Sequence, residues 1–273
     1  MLTTGSVFAN EFRIVRPLAE GGMGAVFVVE QLSTGKERAL KVMRPGMVND
    51  ATMRARFARE ARVGAQIESD HVVEVVSAGV DEATNVPWLA MELLRGEHLG
   101  DALTRKGHFS LAMVKELFRQ LGHALASAHR KGIVHRDLKP ENIFLSHSRR
   151  HDESSVVKIL DFGIARMMQE SRATGATLGG LGTPLWMAPE QTHGGNITPA
   201  TDVWALGLIA FNLLTGRSYW RSAQGDAALP VILTELWRIG IPTGHPRRRR
   251  SARGYRALSP RSSTLRGSFQ ALP

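Results

Sequence analysis

The stretch His135-Arg-Asp-Leu-Lys-Pro-Glu-Asn142 places a carboxylate, a cation and an amide in one short segment. Asp137 is able to orient a hydroxyl and accept its proton. Lys139 is able to neutralise a transferring phosphoryl group, and Asn142 to offer an oxygen to a hard metal ion. That combination suits phosphoryl transfer, where positioning and charge stabilisation supply most of the rate. Asp161-Phe-Gly163 begins 19 residues after Asn142 and follows the apolar run Val156–Leu160. A carboxylate at a strand end, followed by glycine, is well placed to hold Mg²⁺. A third segment, Ala188-Pro-Glu190, is preceded by Gly182-Thr-Pro-Leu-Trp-Met.

Two further features lie upstream. Leu18-Ala-Glu-Gly-Gly-Met-Gly-Ala-Val26 sits between two expected strands. Glycine lets backbone amides approach phosphates with no Cβ in the way, although alone such a segment reads first as a hairpin turn. Lys41, flanked by apolar neighbours in Ala39-Leu-Lys-Val, must snorkel or meet an anion. Glu60 shares the apolar side of an expected helix over Asp50–Ile67 and is its natural partner; two ordinary surface charges are the plain alternative.

The elements that must position these residues fall into two groups. Phe12–Leu18, Ala25–Glu30 and Glu37–Met43 read as strands of an antiparallel meander, and His71–Val80 and Trp88–Leu93 as two further strands. From residue 99 the pattern turns helical. Leu111, Val114, Leu117, Phe118, Leu121, Leu125 and Ala128 form one apolar face that Gly132 ends. Ile133–Val134, Ile143–Leu145 and Val156–Leu160 read as short strands, Thr201–Leu214 and Ala227–Arg238 as helices. A hinge is expected near 92–97.

The 273 residues are 43% hydrophobic and 22% charged, which excludes a disordered or fibrous chain. Without cysteine, no disulfide framework or thiolate metal site is available. The net charge of +10 is local: residues 239–273 hold eight arginines and no acid, and the remainder has 27 basic and 25 acidic residues. A nucleic-acid partner would rest on that tail alone, where only Tyr255 and Phe269 are aromatic; a solvated basic tail is expected instead. Neither a secretory signal nor a membrane span is expected, so the chain reads as cytoplasmic.

Taken together and in order, the Gly-rich segment, Lys41, Glu60, His-Arg-Asp, Asp-Phe-Gly and Ala-Pro-Glu resemble the protein kinase family, specifically the bacterial eukaryotic-like Ser/Thr kinases, over residues 12 to about 220. The resemblance implies an α+β, bilobal fold: a small antiparallel β lobe with one helix (12–92, after a segment 1–11) and a mainly helical large lobe (93–238). It implies ATP and Mg²⁺, and transfer of the γ-phosphoryl to Ser or Thr of protein substrates, including another copy of the chain. Lys41 would hold the α- and β-phosphates and pair with Glu60; Asp137 would be the base, with Lys139 at the γ-phosphate. Asn142 and Asp161 would bind the metal, and Asp202 would anchor the His-Arg-Asp loop. The Gly-rich loop (Ala19, Glu20, Gly21, Gly22, Met23, Gly24, Ala25) would cover the phosphates. Leu18, Val26, Ala39 and Phe144 would sandwich adenine, with Met91 as gatekeeper and the Glu92 and Leu94 backbones on its edge. Thr183 would lie beside the acceptor hydroxyl. Ser171, Thr174 and Thr177 would be switch sites facing Arg136, with autophosphorylation at Thr174 or Thr177.

Two departures stand out. Ala19 replaces the first glycine of the usual loop, which predicts a modest loss of ATP affinity. After Arg238 no helical periodicity continues, so the last helices of the family are expected to be missing and Glu190 to lack its usual arginine partner. The tail 239–273 then reads as a truncation or an altered frame, disordered, and the Val203–Leu214 helix as short of cover. The alternative function is a catalytically weak or inactive ATP-binding scaffold.

Overall fold

In the computed structural model the described residues are 2–21, 24–44, 65–147, 155–162, 184–192, 195–220, 223 and 228–238. The expected helix over Asp50–Ile67, with Glu60, lies outside them except for residues 65–67, a turn and its exit. Gly22, Met23, Thr183, the switch sites and the tail also lie outside.

Alternating apolar residues build the first layer. Val7–Phe8 (β1), Phe12–Gly21 (β2), Gly24–Gln31 (β3), Lys36–Met43 (β4), Val75–Val80 (β5) and Pro87–Glu92 (β6) form an antiparallel sheet in the order β1-β2-β3-β4-β6-β5. Strand alternation sends Leu40 and Val42 to one face and Ala39, Lys41 and Met43 to the other. The Leu40 face packs with Phe8, Phe12, Ile14, Val29, Trp88 and Ala90. The opposite face gathers Ala39, Met43, Val73, Leu89 and Met91, with Val26, Leu94 and Leu160 against them. Lys41 is thereby aimed into an apolar surface, which makes an anionic partner obligatory.

The second layer is helical and carries a small sheet, Gly96–His98 (β7), Ile143–Ser146 (β8) and Val156–Ile159 (β9), in the order β7-β8-β9. Leu99–Lys106 (α1) follows β7, and Leu111–Arg130 (α2) follows an Ser110 cap whose hydroxyl accepts from Met113 N at 3.3 Å. Val114, Leu117, Leu121, Ala124, Leu125 and Ala128 bury one stripe of α2 against Ile143, Val157, Ile159 and Ile209. Leu111, expected on that stripe, is 72% exposed, because it starts the helix beyond the edge of the core. Gln120, 7% exposed on α2, accepts from Val157 N at 2.8 Å and so fixes β9. The Ile133–Val134 strand does not form: Ile133 N instead donates to Ala128 O at 3.0 Å, closing the end of α2.

Pro189–Thr192 (α3), Pro199–Thr215 (α4) and Ala228–Arg238 (α5) complete the layer. Thr198 caps α4 by accepting from Ala200 N, with Pro199 at the first position. Val203 and Leu214 are exposed, yet α4 is covered elsewhere: Leu208 packs with Trp220, Ala228, Ile232 and Leu236.

The link between layers turns at Gly96. Its φ is +146°, and a Cβ there would lie 2.0 Å from Leu145 O. Gly96→Ala is expected to destabilise by about 1–3 kcal/mol, a melting shift of roughly 2–4 °C per kcal/mol. Gly122→Ala, in open space on α2, should leave the midpoint unchanged or raise it. Equal midpoints for the two variants would contradict this packing.

Candidate active site

The site is assembled around a carboxylate on the first turn of α4. Asp202 is 1% exposed. Its Oδ2 accepts from His135 N at 2.9 Å and faces His129 Nε2 at 2.8 Å, while Oδ1 accepts from Arg136 N at 3.0 Å. Burial pushes this carboxyl up, but the His129 hydrogen bond, His135 and the two amides outweigh it and hold it below the usual aspartate value. The segment it grips is bent: Arg136 has φ +69°, a left-handed conformation that costs a non-glycine residue energy.

His135 passes the constraint onward. Its ring is fully buried; Nδ1 accepts from Asp137 N at 3.3 Å, so Nε2 carries the proton donated to Leu160 O at 2.8 Å. Leu160 N donates to Asn142 O at 2.9 Å. The Leu160 peptide is thus held from both sides, and Asp161 follows it with φ +60°. Phe162 packs edge-to-face on His135, ring centroids 4.7 Å apart.

Two side chains converge on Asp137. Lys139 Nζ lies 3.0 Å from its Oδ2, and Asn142 Nδ2 donates to its O at 2.7 Å and its Oδ2 at 3.1 Å. Both amide hydrogens of Asn142 are spent, and its side-chain oxygen has no partner among the described residues. Asp161 Oδ2 accepts from Lys41 Nζ at 2.7 Å across 120 residues of sequence. Burial raises the Asp161 carboxyl, but the charge and hydrogen bond of Lys41, aided by His135 and Lys139, bring it below its ordinary value. An ionised carboxylate and a free amide oxygen are hard donors, so Asp161 and Asn142 fit Mg²⁺. Lys41 meets Asp161 here; its expected partner Glu60 is outside the described residues.

Val26, Ala39, Met91 and Leu94 share one apolar cluster, as a flat ring system requires. The Leu94 N–H, past the end of β6, takes no backbone partner among the described residues. Glu92 N instead donates to Glu74 O at 3.0 Å. Leu18 is 46% exposed, and Phe144 packs edge-to-face on His98. Ala19 pairs with Val26, Glu20 with Ala25 and Gly21 with Gly24. Gly24 is needed by the sheet itself: with φ +150°, a Cβ would stand 2.1 Å from Val42 O.

Sequence reading missed several partners. Thr201 Oγ1 donates to Glu190 Oε1 at 2.5 Å, so one oxygen of this acid is met from the turn that carries Asp202. Lys158 Nζ meets Glu92 Oε1 at 2.5 Å, tying β9 to the end of β6. Gln191 and His129 complete the set. A Lys two residues before Leu160, on a strand ending in an acid, was the one available signal.

Asp202→Asn is expected to lower stability at neutral pH by about 1–3 kcal/mol, through donors left unmet. A carboxylate held below its unfolded value stabilises above about pH 4 and loses that contribution as pH falls toward the folded value. The gap between wild type and variant in urea melts should therefore shrink below about pH 4; a gap constant with pH would contradict the assigned ionisation.

A sequence model described as "Protein kinase domain" matches residues 12–255, further than the motifs alone reach. The chain is 40% identical over 213 residues to the serine/threonine-protein kinase pkn2 of Myxococcus xanthus, covering 77% of this chain and 25% of that one. It is 33% identical over 235 residues to the serine/threonine-protein kinase PknA of Mycobacterium tuberculosis, covering 85% and 52%. The crystal structure of the Mycobacterium tuberculosis PknI kinase domain matches with a TM-score of 0.65 at 28% identity, over 86% of this chain and 87% of that one. The chain spans between a quarter and about half of the length of these curated relatives.

Proposed function

The chain belongs to the protein kinase domain family, and from that premise we propose that it transfers the γ-phosphoryl of ATP to Ser or Thr hydroxyls of protein substrates. The observation that carries this reading is the meeting of Lys41 and Asp161 at 2.7 Å beside a loop in which Asp137, Lys139 and Asn142 contact one another. Asp137 takes the proton of the acceptor hydroxyl. The new O–P bond forms as the bond from the γ-phosphorus to the β–γ bridging oxygen breaks, and ADP leaves. Lys139 offsets charge on the transferring group. Lys41 holds the α- and β-phosphates, and Glu60 is its second partner. Asn142 and Asp161 hold Mg²⁺, which supplies charge neutralisation when bound. Val26, Ala39, Met91 and Leu94 support adenine from the apolar side, with Leu18 and Phe144 at its rims and the Glu92 and Leu94 backbones at its edge. The Gly-rich loop, including Gly22 and Met23, covers the phosphates, and Thr183 lies beside the acceptor.

Activity is proposed to rise on autophosphorylation of Thr174 or Thr177, in trans between two copies, with the phosphate paired to Arg136. The working compartment is proposed to be the cytoplasm; among the described residues no helix is long and apolar enough to cross a membrane.

Incubation with labelled ATP and Mg²⁺ tests both parts. Wild type should carry label, mapped by mass spectrometry to Thr174 or Thr177. Lys41→Met and Asp137→Asn should lose at least about 10²-fold in rate. Thermal stabilisation by ATP with no transfer in any sample would replace the enzyme with a scaffold; label confined to other residues would remove the switch.

A further inference from the structure

Arg136 stands immediately before Asp137, and its left-handed backbone leaves two polar groups to be satisfied in a crowded place. Its N–H is taken by Asp202 Oδ1 at 3.0 Å. Its C=O accepts from Gln191 Nε2 at 2.7 Å. The other end of the same carboxamide, Gln191 Oε1, accepts from Ala188 N at 2.9 Å. Gln191 is half-buried on α3, beside Glu190, whose own carboxylate is held by Thr201. One side chain therefore bridges the 184–192 segment to the peptide from which Asp137 projects. Only a group that accepts at one atom and donates at the other closes this bridge.

We propose that Gln191 is a positioning residue for the transfer step, fixing the direction of the Asp137 carboxylate through the Arg136 carbonyl. This rests on the phosphoryl-transfer reading above. Three physical points support it. A residue in a sparsely populated conformation persists only when its surroundings over-determine it, and here both backbone polar groups are held by side chains. The peptide joining Arg136 and Asp137 is held at its N–H by a long bond to His135 Nδ1 at 3.3 Å, and Gln191 holds its carbonyl end at 2.7 Å. A misdirected base loses rate steeply, because the proton must be taken along a hydrogen-bonded line. Gln191 touches neither reacting group, so it acts on rate through geometry and leaves nucleotide binding alone.

The informative variants are Gln191→Glu and Gln191→Met in the full chain. Ionised, the Glu variant keeps the bond from Ala188 N and places an acceptor against the Arg136 carbonyl. Protonated, it regains an O–H donor and the bridge. Met has similar length and neither function. At about pH 8 both should lose about tenfold in kcat, with KM for ATP within about twofold of wild type. Measured as a ratio to wild type, kcat of Gln191→Glu should recover as pH falls toward about 5.5, and that of Gln191→Met should not. Gln191→Met adds no charge beside Arg136, Asp137, Lys139, Glu190 and Asp202, so it controls for pH effects common to all three chains. Variants within about twofold of wild type in kcat at every pH would overturn the inference. Equal, pH-independent losses in both variants would also overturn it, marking a role in stability alone; a variant that does not fold leaves the other to decide on the same kcat and KM readings. A wild type that transfers nothing would remove the kinase reading itself, an outcome distinct from either.

Discussion

A carboxylate withdrawn from water is tolerated only where donors replace the lost hydration. Asp202 meets that condition with two backbone amides of the His-Arg-Asp loop and the ring of His129. The exchange works in both directions. The loop satisfies the acid, and the acid holds Arg136 in a conformation that its side chain disfavours. From that turn the order spreads: His135 holds the Leu160 peptide, Leu160 binds Asn142, and Asn142 braces Asp137. Thr201, next to Asp202, fixes Glu190 in the same way. One turn of α4 therefore supports both the loop that carries the base and the 184–192 segment.

The second constraint joins the two sheets. β4 presents Lys41 on an apolar face, and Asp161 at the end of β9 meets it. Their side chains are 11% and 25% exposed, so the pair is screened less than a surface pair and is not sealed. Partial access matters for the proposed chemistry. Polyphosphate oxygens are able to take Lys41, and a hard cation to take Asp161, without either charge being stranded in an apolar medium. Lys158 and Glu92 form a parallel tie nearer the connection at Gly96.

Much of this was legible in the sequence because the relevant chemistry sits in contiguous motifs. The strands of the first layer follow from alternation, α2 from its apolar periodicity and from Gly132 past its end, and α4 from its strongly apolar composition. Asp202 was expected to anchor the loop, and it does. The parts that were hidden depend on contacts between distant elements. Nothing local marks Gln191 as a bridge or Thr201 as the partner of Glu190; each polar side chain reads as ordinary until the fold brings the Arg136 carbonyl or Glu190 beside it. Ile133–Val134 has β-branched residues yet no strand, since the end of α2 takes its amide. Leu111 obeyed the helical period but lay one turn outside the core. Gly24 was read for phosphate access, whereas close packing on Val42 already demands glycine there.

The central claim is that the groups around Asp137 and Asp161 form one nucleotide site. A crystal structure of the chain with Mg²⁺ and a non-hydrolysable ATP analogue tests it most directly. The account predicts Asn142 and Asp161 oxygens at about 2.0–2.1 Å from the metal, Lys41 turned onto the α- and β-phosphates, and adenine against Ala39 and Met91. A nucleotide seated elsewhere, or a metal held by neither residue, would contradict it.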